Sequence, residues 1–245
     1  LTRSNHPRIL LLQARDAGDP VIPEEIAIFA RNARVPLENV TPLNLLEDTP
    51  ALAAAKTRDA VMIGGSGNYF VSKGNLPNFH GTLGFLAEAV EAGIPMFASC
   101  FGFQLIVRAL GGHIAYKPEK MELGTYTLTL TGEGLVDDVF RVLPLSFAAL
   151  LGHKDQATAF PAGLKNLAFS DFSPFQGLRV PGKPIWATQF HPEMTHLENL
   201  RRFKRYLNEY AKTMSPDEME QTLNRFQPAP HTANLIPRFM EVVFG

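Results

Sequence analysis

Three short segments carry side chains that could do acyl chemistry together. The first, Ala98-Ser99-Cys100-Phe101-Gly102, has the small-x-nucleophile-x-Gly form of a strand-to-helix elbow, with sulfur in place of a hydroxyl. Small flanking residues let strand and helix approach closely at such a turn. The first turn of the helix then offers unpaired N–H groups and the positive end of the dipole, both of which favour a thiolate. A lone cysteine taken at random is more often an inert buried residue, and here the elbow context argues for a nucleophile.

The second segment is Gln189-Phe190-His191-Pro192-Glu193. A nucleophilic thiol needs an imidazole to take its proton and return it to the leaving group. That imidazole needs a carboxylate to hold its tautomer and stabilise the imidazolium. Two residues apart in extended chain, His191 and Glu193 point to the same side, and Pro192 stiffens the link between them. Most of the seven histidines must be ordinary surface or core residues, but His191 sits in a context that suits a base. A zinc site is the other common use of histidine. His153, His191 and His196 lack a ligand spacing such as HExxH, so no metal is expected.

The third segment, Gly64-Gly65-Ser66-Gly67, lacks the Gly-Lys-Ser/Thr of a phosphate loop and by itself would pass for a surface turn. Attack on an amide builds negative charge on oxygen, and preorganised backbone N–H groups aimed at it are often the largest catalytic contribution. Gly65 and Phe101 are the candidate donors.

The elements that must position these segments follow from periodicity. Ile9 to Leu12 reads as a buried strand, Pro23 opens a helix that ends at Val35-Pro36, and residues 39–45 suit a second strand. Ala60 to Ile63 reads as a strand that ends where the glycines begin. Residues 82–92 fit a helix closed by Gly93, residues 94–99 a strand, and residues 101–110 a helix stopped by Gly111-Gly112. Cys100 therefore occupies a strand-to-helix turn. Alternation between Thr125 and Thr131 marks a half-buried antiparallel strand at the sheet margin. Residues 185–190 make a further strand, and Thr195 with Glu198 a capping box for the next helix. Ser215 to Glu218 repeats that signature, and an apolar segment, Leu235 to Phe244, closes the chain. Strands alternating with helices argue an α/β fold: a mostly parallel central sheet covered by helices on both faces, with sites beyond the carboxyl ends of its strands. All three chemical segments then lie along one edge.

Composition narrows the setting. With 245 residues, 45% of them hydrophobic, the chain can bury an ordinary core. The 23 basic and 24 acidic residues nearly cancel without forming a basic block, so nucleic acid and membrane surfaces are not expected partners. The single cysteine excludes an internal disulfide and Cys-rich zinc sites. No apolar run approaches the ~20 residues of a membrane span, and Leu1 to Arg8 lacks the layout of a secretory signal. A cytoplasmic protein is expected.

Together, the Gly-rich loop, the Cys elbow with Gln104 and the His-Pro-Glu segment match the order and spacing of the class I glutamine amidotransferases, which this sequence resembles from Arg8 to Tyr210. Glu122-Leu123-Gly124 and Gly152-His153-Lys154-Asp155 look like the Glu-x-Gly and His-Gly-Asp segments of the GMP-synthetase-like branch. The resemblance implies a flavodoxin-like fold and a Cys100, His191 and Glu193 triad. It implies oxyanion donors at Gly65 and Phe101, and glutamine contacts from Gln104, Gly67 and the backbone near Lys154. The thiolate would attack the glutamine γ-amide, release ammonia and leave a γ-glutamyl thioester for water to hydrolyse to glutamate, with no metal or organic cofactor. Ala98, Phe103 and Lys154 depart from the residues usual at their positions. No ATP-binding domain is expected within these residues, so the ammonia would go to a separate synthetase partner or be released in glutaminase-like action. Two rivals stand beside this reading: a γ-glutamyl hydrolase or peptidase of the same fold, and an inactive regulatory or binding module. Residues 1–212 are read as the amidotransferase domain and residues 213–245 as accessory helices packed on it.

Overall fold

The computed structural model describes residues 6–207 and 214–245. The expected boundary at residue 212, the end of the resemblance at Tyr210 and the first five residues of the signal reading lie outside them. In chain order the strands are β1 (Ile9–Ala14), β2 (Val40–Asn44), β3 (Ala60–Ser66), β4 (Met96–Ser99), β5 (His113–Tyr116), β6 (Glu122–Leu130), β7 (Ser146–His153), β8 (Asp155–Ala159), β9 (Lys165–Phe169), β10 (Gly177–Val180) and β11 (Ile185–Thr188). The helices are α1 (Val21–Ala33), α2 (Leu52–Lys56), α3 (Phe79–Glu91), α4 (Phe101–Ala109), α5 (Gly132–Val136), α6 (His196–Arg205), α7 (Pro216–Asn224) and α8 (Leu235–Phe244).

One nine-stranded sheet runs β2-β1-β3-β4-β11-β10-β9-β6-β7, and β5 pairs with β8 in a separate ribbon. Strands β2, β1, β3, β4 and β11 are parallel, and β11, β10, β9, β6 and β7 are antiparallel. The sheet is thus mixed, and its antiparallel part is four strands wide beyond β11, broader than a margin. The alternating threonines expected at residues 125–131 lie in β6, between β7 and β9.

The inner parallel strands β1, β3, β4 and β11 are buried on both faces, which explains their near-continuous apolar runs, whereas β2 forms a partly exposed edge. From β1, Leu10 and Leu12 join the cluster that holds Phe85 and Leu86 of α3 and Phe103 and Ile106 of α4. Ile9 and Leu11 join the opposite cluster, with Phe29 of α1 and Phe239 of α8. Period-two alternation sends consecutive side chains to opposite layers, and helices close both.

One expected boundary is corrected. Strand β3 does not stop at Ile63 but continues through Gly64 and Gly65 to Ser66, where Ser66 pairs with Ala14 after a register shift that puts one extra residue in β3. Glycine is required there by what crowds the backbone. A Cβ on Gly64 would stand 2.5 Å from Glu25 Oε1, and one on Gly65 would stand 3.0 Å from His191 Cε1. These glycines serve close approach rather than flexibility.

Candidate active site

Parallel register brings the three segments together. Ile63 of β3 pairs with Ala98 of β4, and Ser99 of β4 with Thr188 of β11, so the carboxyl ends of these strands stand side by side. The Cys100 amide donates to the Thr188 carbonyl at 2.8 Å, which places the thiol beside the turn that leads to His191.

Cys100 is the residue before α4, with φ 51° and ψ −101°. Such a positive φ costs a non-glycine residue about 1–3 kcal/mol and persists only where its surroundings enforce it. Here β4 and α4 are both packed, and Gly102 lets α4 approach the neighbouring β3: a Cβ at that position would lie 2.7 Å from Ile63 Cβ. Ala98 fits in the core without exposure, and Phe103 points into the same core against Phe160. Neither departure from the family pattern reaches the cleft. Cys100 is 7% exposed, so it is shielded without being sealed.

His191 Nδ1 lies 2.7 Å from Glu193 Oε1, with both side chains buried. The turn is held from three sides. The His191 amide donates to Leu150 of β7 at 2.9 Å, Thr188 Oγ1 donates to the Phe190 carbonyl at 2.8 Å, and Asn32 Nδ2 of α1 donates to the Glu193 carbonyl at 2.7 Å. Burial alone would lower the His191 pKa. The Glu193 carboxylate, and the Cys100 sulfur that meets the same ring, push it up to about 10. Cys100 and His191 line the same cleft, and Glu193 holds the far side of the His191 ring.

These groups open on a common cleft. Gly65, Gly67, Cys100, Phe101, Gln104, Lys154 and His191 all line it, and Glu193 stands behind His191. Phe101 begins α4, whose first-turn N–H groups have no intrahelical partner. Gln104 Nε2 is committed to the protein, donating to the Asp155 carbonyl at 3.0 Å and to Gln189 Oε1 at 3.2 Å. Its carbonyl oxygen is the atom available to a ligand. Asp155 in turn accepts from the Ser72 amide at 2.9 Å and hydroxyl at 2.6 Å, tying this wall to the segment after the glycines. Register sets Glu122 of β6 opposite His153 of β7, and their buried side chains meet at 3.1 Å.

Sequence reasoning missed the rest of the wall. Arg15, Leu123, Leu151, Arg202, Phe203, Tyr206 and Phe226 also line the cleft. Phe226 follows α7 closely and packs on Phe203 with ring centroids 5.2 Å apart, so a C-terminal segment read as merely accessory closes one side. A capping box at Thr195 was a usable signal for α6 but not for which of its residues would face the cleft. Among the described residues, no cluster of three His, Cys, Asp or Glu side chains could hold a metal ion, and no helix is long and apolar enough to cross a membrane.

Comparison with known proteins gives consistent relatives. Residues 28–205 match the model of the family described as glutamine amidotransferase class-I. Over 110 residues the chain is 36% identical to one of the subunits of the glutamine-hydrolysing GMP synthase of Methanocaldococcus jannaschii, covering 45% of this chain and 56% of that protein. The chain thus spans little more than half the length of that relative. With the corresponding subunit of Pyrococcus furiosus identity is 28% over 71% of this chain and 85% of the relative. Among solved structures, a glutamine amidotransferase from Thermotoga maritima superposes with a TM-score of 0.70 at 18% identity, over 98% of this chain and 99% of that one. At that identity the likeness speaks for the fold.

Proposed function

This chain belongs to the class-I glutamine amidotransferases, and from that premise we propose that it hydrolyses the γ-amide of glutamine, with Cys100 as nucleophile, His191 as acid and base, and Glu193 as the carboxylate that orients His191. The supporting observation is that Cys100 and His191 line one cleft, with His191 Nδ1 2.7 Å from Glu193 Oε1. In this reading the thiol proton resides on His191 as the sulfur adds to the γ-carbonyl carbon. The carbonyl electron pair moves onto oxygen, where the Gly65 and Phe101 N–H groups receive it. Collapse of the adduct expels the amide nitrogen, which takes the proton from His191 and leaves as ammonia. A γ-glutamyl thioester remains. His191 then takes a proton from water, which attacks the thioester carbon, and the thiol regains that proton as glutamate departs.

Gly67, the Gln104 carbonyl oxygen and the backbone near Lys154 would grip the amino-acid end of the substrate. Two relatives are single subunits of a glutamine-hydrolysing synthase, which favours a separate ammonia-accepting synthetase as partner over release of free ammonia. One observation favours the rival substrate class, a γ-glutamyl conjugate with a larger amine. The cleft has an apolar wing of Leu123, Leu151, Phe203 and Phe226 that an ammonia leaving group would not use. Incubation with glutamine and, separately, with γ-glutamyl peptides tests both. Ammonia from glutamine, abolished by Cys100→Ala, supports the first reading; amine from the peptides with no ammonia from glutamine replaces it with the second.

A further inference from the structure

Behind the Gly64-Gly65 segment lies a buried ion pair that the chemistry above does not use. Arg15, directly after β1, and Glu25 of α1 have side chains 0% and 2% exposed and meet at 3.0 Å through Nη2 and Oε1. The same Nη2 donates to the Gly65 carbonyl at 3.1 Å, and Nη1 reaches the Tyr206 hydroxyl at 3.4 Å. Glu25 also accepts from Gln13 Nε2 at 2.8 Å and has Arg202 at 3.6 Å. Burial alone would raise the Glu25 pKa, but Arg15 and Arg202 hold it below the ordinary carboxylate range. Around the glycines, the Glu25 carboxylate crowds Gly64, the His191 ring crowds Gly65, and the Tyr206 hydroxyl would stand 3.0 Å from a Cβ on Gly67. The end of β3 is therefore gripped at three close approaches, and the Gly65 carbonyl is pinned by a guanidinium.

Stability is a weak reason for such a pair. Replacing a buried ion pair with apolar groups of similar shape is often neutral or stabilising, because desolvation offsets the attraction. A planar guanidinium fixed by a carboxylate does, however, impose direction on what it binds.

We propose that Arg15 is a positioning residue for the oxyanion donor: by holding the Gly65 carbonyl, with Glu25 locking its own fork, it fixes the Gly65–Ser66 peptide plane and, through Gly65 torsions confined by the close approaches around them, the aim of the adjoining Gly65 N–H. This rests on the donor role assigned to Gly65 above. Arg15 acts through the backbone and touches no reacting atom.

The experiment compares two reagents on Cys100. Iodoacetamide alkylates a thiolate by direct displacement and needs no oxyanion donor, whereas a chloroketone analogue of glutamine first adds through its carbonyl and develops an oxyanion. Arg15→Lys keeps the charge and loses the fork; Arg15→Met with Glu25→Met replaces the pair by apolar groups of similar length and guards against misfolding of the single variant. For both, the ratio of chloroketone to iodoacetamide rates is expected to fall about 100-fold, with kcat on glutamine falling alike and KM within about threefold. An unchanged ratio in either folded variant, or both reagents slowing together, overturns the proposal. A wild type labelled selectively by both reagents but releasing no ammonia from glutamine would sink the glutamine reading alone, and the ratio would still decide the role of Arg15.

Discussion

At the scale of single residues, the site's behaviour turns on where one proton resides. His191 has a folded pKa raised above its ordinary value near ~6.5, so the imidazolium persists through neutral pH and is lost only as pH rises through about 10. If that imidazolium delivers the proton to the leaving nitrogen, kcat for ammonia release holds through mild alkali and drops near pH 10. In Glu193→Gln the drop moves toward neutrality and the plateau falls by on the order of 10²- to 10⁴-fold. A pH–rate profile of both proteins checks this; superimposable alkaline limbs would remove Glu193 from the mechanism. Cys100→Ala is expected to lose on the order of 10⁴-fold or more in ammonia release with its fold unchanged, as circular dichroism can verify.

At the scale of elements, the elbow depends on β4, α4 and β3 meeting without side chains between them. Gly102→Ala puts a methyl 2.7 Å from Ile63 Cβ, an overpacking expected to cost ~1–3 kcal/mol in urea unfolding and to slow glutamine turnover by shifting Cys100. Helix α6 begins at a capping box in which Glu198 also binds Arg31 of α1 at 2.8 Å. Thr195→Ala removes one half of the cap, and a loss of about 1 kcal/mol is expected, since the ion pair to α1 survives. An unchanged denaturation midpoint would mean that the start of α6 is held by its packing alone.

At the scale of the whole molecule, Arg15, Glu25, Gly65 and Arg202 tie β1, α1, β3 and α6 into one buried network. The folded pKa of Glu25 lies below its unfolded value of about 4.3, so its contribution is complete above that pH and is lost as pH falls through the lowered value. Thermal melts at pH values stepped down from neutrality into acid should show this loss. Glu25→Gln should flatten it while costing ~3–5 kcal/mol at neutral pH, because it leaves Arg15 buried without its counter-charge; a mutant curve parallel to the wild type would place the acid sensitivity elsewhere. The same network marks the limit of what could be read along the chain. A thiol between an apolar strand and an amphipathic helix, a His-Pro-Glu step and clustered glycines are local patterns, and short-range geometry makes each legible by itself. The order of strands and helices likewise foretold the α/β layers, because burial on both faces leaves continuous apolar runs. Nothing local reveals that β3 extends through its glycines, that the antiparallel half is four strands wide, or that Arg15, Tyr206 and Phe226 share a cleft with Cys100. Arginines, tyrosines and phenylalanines are common everywhere, and only the register of the parallel strands and the packing of distant helices on them decided which would meet.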